Sequence, residues 1–166
     1  MIKKICIFLG SRANYSSIKS VMVEIKKKKN LKLQIILGAS AILNKYGELE
    51  KLIKKDGFRV DKKIFSLIEG ENPITMSKST GLGLIGISEA LYELKPDLVF
   101  TIGDRFETMA TTLAASYMNI PLAHTMGGEI TGTIDESIRH AVTKFAHLHF
   151  PASKGAANRI YKLGEN

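Results

Sequence analysis

Short β-branched apolar runs alternate along this chain with longer segments whose apolar residues recur every three or four positions. No other feature of the sequence restricts the fold so tightly. A short apolar run bounded by turn formers reads as a buried strand, and a three-and-four spacing reads as an amphipathic helix. Strands are therefore expected at Ile5–Leu9, Leu31–Leu37, Leu98–Ile102, Leu122–His124 and Leu148–Phe150, with a short one within Arg59–Phe65. A helix is expected over Tyr15–Lys28, striped by Ile18, Val21, Met22 and Ile25, and another over Asn44–Lys55, striped by Leu49, Leu52 and Ile53. Asn72-Pro73 opens a third, with Asn as the cap and Pro in the first turn, and this helix ends near Leu94 ahead of Pro96. Its Gly81, Gly83 and Gly86 each cost a helix interior about 1 kcal/mol, which close packing on the sheet or a break near a ligand would explain. Further helices follow at Phe106–Met118, Asp135–Phe145 and Ala152–Leu163. Strict strand–helix alternation defines an α/β chain with a parallel, doubly wound sheet and helices on both faces.

A chain of 166 residues that is 45% apolar can bury one core of ordinary domain size. No apolar run approaches the ~18 residues of a bilayer span, so no membrane role is expected. The N-terminal apolar run is short, β-branched and without a small-residue cleavage site, which makes it a strand and not a signal peptide. The single cysteine, Cys6, has no intrachain partner, and a reducing, cytoplasmic setting is the simplest reading. The net charge of +8 admits a nucleic-acid partner. However, Lys26–Lys29 falls at a helix end, where cations complement the dipole, and no Gly/aromatic/basic RNA-binding pattern accompanies it. A phosphate-bearing small ligand is the better match, with no nucleic acid.

The chemistry concentrates between Gly103 and Lys144. Gly103-Asp104-Arg105 follows one apolar run and Gly127-Gly128-Glu129 follows the next. Ligands of open α/β sheets bind at the carboxyl ends of the strands, so Asp104, Arg105, His124, Glu129, Asp135 and Arg139 are expected in one region. Carboxylates beside cations suit proton transfer next to a bound anion. Simpler roles stand beside these: Asp104 and Asp135 as helix caps, and His140 as a hydrogen-bonded packing residue. A second anion-binding candidate is the turn Gly10-Ser11-Arg12, where helix-N-terminal amides and Arg12 attract phosphate. His124, His147 and His149 match no metal-ligand spacing, and no metal or other cofactor is expected.

The segments GSRANYS, Tyr46-Gly47, LKPDLVFTIGDRFE, MNIPLAH and GGEITGTIDESIRHAVTKFAHLHF resemble the hydrolysing UDP-N-acetylglucosamine 2-epimerases over nearly the whole chain. These include bacterial sialic-acid capsule enzymes and the epimerase part of a bifunctional animal enzyme. The resemblance implies the N-terminal Rossmann-like half (residues 1–166) of a two-domain, glycosyltransferase-B-like protein. A C-terminal nucleotide-binding domain would lie beyond residue 166, and the full-length protein is expected to be a homo-oligomer. It implies removal of UDP from a UDP-2-acetamido sugar by elimination across C1–C2, followed by hydration to the free 2-epimer. Related members act on UDP-2,4-diacetamido sugars.

Carried over residue by residue, the resemblance makes Asp104 and Asp135 acid/base carboxylates, with Glu129 a further acidic candidate. Arg12, Ser16 and Arg105 match positions touching UDP, and Arg139 and His140 join the substrate-binding set. The chain departs from the family at Met126, where many relatives carry a third carboxylate, at Asn14, usually an acid, and at Ala41, often His. Those departures leave open a non-catalytic nucleotide-sugar binding module, and the shared architecture leaves open half of a glycosyltransferase.

Overall fold

The computed structural model of the protein describes residues 2–70 and 72–165; Met1, Glu71 and Asn166 lie outside the described residues. Six strands alternate with six helices: β1 (Lys3–Leu9), α1 (Arg12–Lys27), β2 (Leu31–Gly38), α2 (Leu49–Lys55), β3 (Lys62–Ile64), α3 (Pro73–Leu94), β4 (Leu98–Ile102), α4 (Phe106–Tyr117), β5 (Leu122–Thr125), α5 (Ile134–Phe145), β6 (Leu148–Phe150) and α6 (Lys154–Lys162). The sheet is parallel throughout and its spatial order is β3-β2-β1-β4-β5-β6. Hydrogen-bonded registers such as Ile5 to Leu33 and Ile5 to Leu98 place β1 at the centre of the sheet.

Alternation along β1 sends its side chains to two cores. Ile7 and Leu9 pack with Tyr15, Ile18 and Met22 of α1 and with Leu49 and Ile53 of α2. Cys6 and Phe8 pack on the other face with Ile87 and Leu91 of α3 and with Ala110 and Ala114 of α4. The expected doubly wound sheet with helices on both faces is therefore the observed one. Burial also pushes the Cys6 thiol well above the usual thiol range, leaving it inert in the core.

Asn72 caps α3 through a capping box with Thr75, and Lys95 ends it in the left-handed region, one residue before Pro96. Two of the α3 glycines are packing devices. A Cβ on Gly86 would lie 2.8 Å from Cγ2 of Ile64, and one on Gly83 would lie 3.3 Å from Cβ of Ala110. Gly81 faces open space, and the helix runs through all three without a break.

One expected element differs. Asn44–Lys55 is not a single helix: short 3-10 turns at Ala39–Ile42 and Asn44–Tyr46 precede α2. Gly47, at φ 87°, turns the chain between the second of these and α2. The apolar stripe that signalled a helix belongs to its second half alone.

Candidate active site

The strand order reverses direction between β1 and β4, so their carboxyl ends open the crevice where doubly wound sheets bind ligands. Gly10 closes β1 and Gly103 closes β4. Ser11 caps α1 by accepting from the Asn14 amide at 3.1 Å, and Asn14 Oδ1 accepts from the Gly10 amide at 3.1 Å. Asn14, a departure from the family pattern, thus braces the first turn. Above these strand ends lies a cavity of about 910 Å³ whose walls include Arg12, Ser40, Thr75, Ser79, Arg105 and Glu107. Arg12 and Arg105 bring two guanidinium groups to one cavity from turns far apart in sequence. Ser16, one helical turn after Arg12, is exposed and donates to the Arg12 carbonyl at 3.1 Å.

The β4–α4 turn fixes Asp104. Gly103 adopts φ 77°, a left-handed conformation glycine enters without steric cost. Asp104 does not cap α4, whose cap position is Arg105 with no side-chain bond. Its carboxylate instead forms an ion pair with the guanidinium of Arg139 on α5. The Arg139 side chain is 5% exposed. It also donates to the Glu129 carbonyl at 2.6 Å and to Thr131 Oγ1 at 3.5 Å. Burial lowers the Arg139 pKa from its ordinary value. These bonds engage Arg139 with protein acceptors and hold the Asp104 carboxylate against α5.

His124 is a strut beneath the same turn. Its Nε2–H donates to the Gly103 carbonyl at 2.8 Å, and Nδ1 accepts from Thr143 Oγ1 at 3.2 Å. Burial pulls its pKa down to about 4, against a smaller upward pull from the Gly103 bond, so the ring is neutral near pH 7. Gly127 and Gly128 are equally tight. A Cβ at Gly127 would lie 2.8 Å from Thr143 Oγ1, and one at Gly128 would lie 2.3 Å from the Ala156 carbonyl oxygen. Met126, just ahead, is 43% exposed and holds a left-handed φ of 64°.

The other sequence candidates disperse around this centre. The Glu129 carboxylate is turned to α6, accepting from Ser153 Oγ at 3.1 Å and lying 3.7 Å from Arg159 Nη2. Asp135 sits in the first turn of α5, whose cap is Thr133. Glu136 holds the preceding loop, accepting from the Thr131 and Gly132 amides at 2.6 and 2.7 Å, and these bonds lower its pKa. His140 faces Glu136, with Nε2 3.8 Å from a carboxylate oxygen.

Glu107 was not singled out from the sequence. It is the last residue of GDRFE, and its position in the first turn of α4 carries no burial signal. The residue is 5% exposed and packs on Gly10, where a Cβ would meet its Oε1 at 2.6 Å. Its Oε2 is buried and makes no hydrogen bond among the described residues. Burial pushes its pKa above the usual carboxylate range, and Asp135 adds to that rise. Its own backbone N–H and Arg105, whose Nε lies 3.8 Å away, oppose it.

Among the described residues, no group of three or more His, Cys, Asp or Glu side chains is placed to hold a metal ion. No helix among them is long and apolar enough to cross a membrane. A parallel, doubly wound sheet with a cavity at its switch point defines a Rossmann-type domain, and this cavity carries two arginines. Residues 23–166 match the model of the UDP-N-acetylglucosamine 2-epimerase family, and the chain belongs to that family. It is 38% identical over 98% of its length to a GDP/UDP-N,N'-diacetylbacillosamine 2-epimerase (hydrolyzing) of Campylobacter jejuni, covering 42% of that protein. A UDP-N,N'-diacetylbacillosamine 2-epimerase (hydrolyzing) of Legionella pneumophila is 34% identical over 99% of the chain, which covers 44% of it. The fold matches the crystal structure of UDP-GlcNAc 2-epimerase from Neisseria meningitidis bound to UDP-GlcNAc with a TM-score of 0.84 at 20% identity. That match covers 99% of this chain and 44% of the other. The chain thus spans less than half the length of these relatives.

Proposed function

We propose that this chain is the N-terminal, catalytic-carboxylate half of a hydrolysing UDP-2-acetamido-sugar 2-epimerase. The observation that carries the proposal is Asp104, held by buried Arg139 at the β4 end beside a cavity walled by Arg12 and Arg105. A carboxylate takes the proton from C2 of the sugar, the C1–O bond breaks, and UDP leaves with the electron pair to give a glycal. Water then adds at C1 and a proton adds at C2 from the opposite face, releasing the free 2-epimer. Asp104 and Asp135 carry proton transfers, while Arg12 and Arg105, with Ser16 at the helix start, offset the charge of the departing diphosphate. His140 lies at the edge of this group, and Glu129 anchors the loop to α6.

A UDP-2,4-diacetamido sugar is the favoured substrate, because the Campylobacter and Legionella proteins bear that activity in their names at 38% and 34% identity. A second, nucleotide-binding domain would complete the cleft, and the sugar product would feed synthesis of a nonulosonic acid such as sialic or legionaminic acid. The buried, unpaired Cys6 fits a cytoplasmic setting. The protein at its natural length, given UDP-N-acetylglucosamine and the diacetamido analogue in deuterium oxide, is expected to release UDP and a free sugar deuterated at C2. Failure to release UDP from every UDP-sugar tried would favour the binding-module alternative, for which Met126 speaks. A requirement for an acceptor would favour the glycosyltransferase alternative.

A further inference from the structure

The proposed reaction requires three proton movements: one off C2, one onto C2 from the opposite face, and one off the attacking water. Asp104 and Asp135 are two groups for three tasks, and Met126 moves no protons. The three tasks also differ in kind. A diphosphate leaves as a stable anion without being protonated, so only the step onto C2 demands a neutral acid. The other two demand carboxylates.

From this arrangement, and resting on the epimerase reading above, we infer that Glu107 is the proton donor to C2 in the hydration half of the reaction. Its carboxyl lies in the wall of the cavity, nine-tenths buried, with one oxygen unpartnered among the described residues. The β4–α4 turn sends its two acids to opposite flanks. Asp104 points to Arg139 on α5, whereas Glu107 packs against Gly10 at the end of β1. Inversion at C2 needs a base and an acid on opposite faces of the ring, and this turn supplies that division. The charged groups around Glu107 are Arg105, Asp135 and Arg12, with Lys45 and Glu69 paired at 2.6 Å across the cavity rim. Burial favours its protonated form, while Asp104 is ion-paired.

In the step itself, the C1=C2 electron pair takes the proton of Glu107 at C2. The oxygen of water bonds to C1 and gives up a proton to a carboxylate. Glu107, left as a carboxylate, regains a proton from solvent before the next turnover.

The test is Glu107→Gln in the protein at its natural length, with UDP release and the glycal-to-epimer ratio followed by NMR. UDP release is expected to stay within about 10-fold of the parent. Hydration of added 2-acetamidoglycal in the presence of UDP should fall at least ~100-fold, as loss of a general acid does, so glycal accumulates. An unchanged glycal-to-epimer ratio would overturn the assignment. A parent that releases no UDP would instead overturn the epimerase reading. If the variant does not fold, the parent's pH profiles decide. Glycal hydration should fall on an alkaline limb that glycal formation lacks, and identical limbs would refute the role.

Discussion

The glycines of α3 allow a sharp test of how this fold is packed, because two of them meet opposite environments within one helix. Gly81 faces open space, so Gly81→Ala adds a methyl group that touches nothing and gains the helix propensity of Ala over Gly, about 1 kcal/mol. Gly86→Ala has the same intrinsic gain. Its new Cβ, however, would lie 2.8 Å from Cγ2 of Ile64 on β3. Overpacking of that kind costs about 1–3 kcal/mol, so the net change is between neutral and roughly 2 kcal/mol destabilising. For a domain of this size, 1 kcal/mol moves Tm by about 2–4 °C. Gly81→Ala should therefore raise Tm by a few degrees, and Gly86→Ala should leave it unchanged or lower it. Thermal unfolding followed by far-UV circular dichroism, with urea midpoints as a check, measures both. In an Ile64→Ala background the clash is removed, and Gly86→Ala should become as favourable as Gly81→Ala. Equal stabilisation by the two substitutions in the parent background would refute the packing argument.

Three other outcomes are expected. Asp104→Asn and Asp135→Asn should each cut turnover of the natural-length protein at least ~100-fold; steady-state rates near the parent's would remove the residue from the acid/base set. Arg139→Met leaves Asp104 without its buried partner and should destabilise the fold by roughly 3–5 kcal/mol, read as a drop in the urea midpoint at unchanged slope. His124 has a folded-state pKa of about 4, below its ordinary value of 6.5, so its contribution is fully present above 6.5 and is lost as pH falls toward 4. That loss is on the order of 3 kcal/mol, and His124→Gln should flatten the pH dependence of urea unfolding across this window.

The positions of several candidate residues were legible in the sequence. GDRFE placed Asp104 and Arg105 at the end of a strand, and TGTIDESIRHAV placed Asp135 at the start of a helix, because strand termini, glycines and helix starts are marked locally. The same local reasoning carried no sign of the contacts that Arg139, Glu129 and Glu107 make. Nothing in spacing reveals that the Arg139 guanidinium bonds Asp104 and the Glu129 carbonyl, or that Ser153 and Arg159 engage the Glu129 carboxylate. The helix expected over Asn44–Lys55 failed at Gly47, whose positive φ breaks the chain just before the apolar stripe begins at Leu49.

By itself the sequence determined the α/β class, the parallel doubly wound sheet, the span of α3 and the family. The first three rest on periodicity, capping and turn chemistry, which act between residues a few positions apart; the family rests on the resemblance of whole segments such as GGEITGTIDESIRHAVTKFAHLHF. Only the tertiary structure decided that β1 lies against β4, and with that contact it set Gly10 against Glu107 and Arg12 across the cavity from Arg105. Desolvation and ion pairing depend on which distant segments meet, so the surroundings of each carboxyl group, the Arg139 pair of Asp104 and the buried seat of Glu107 among them, were fixed by the assembled sheet.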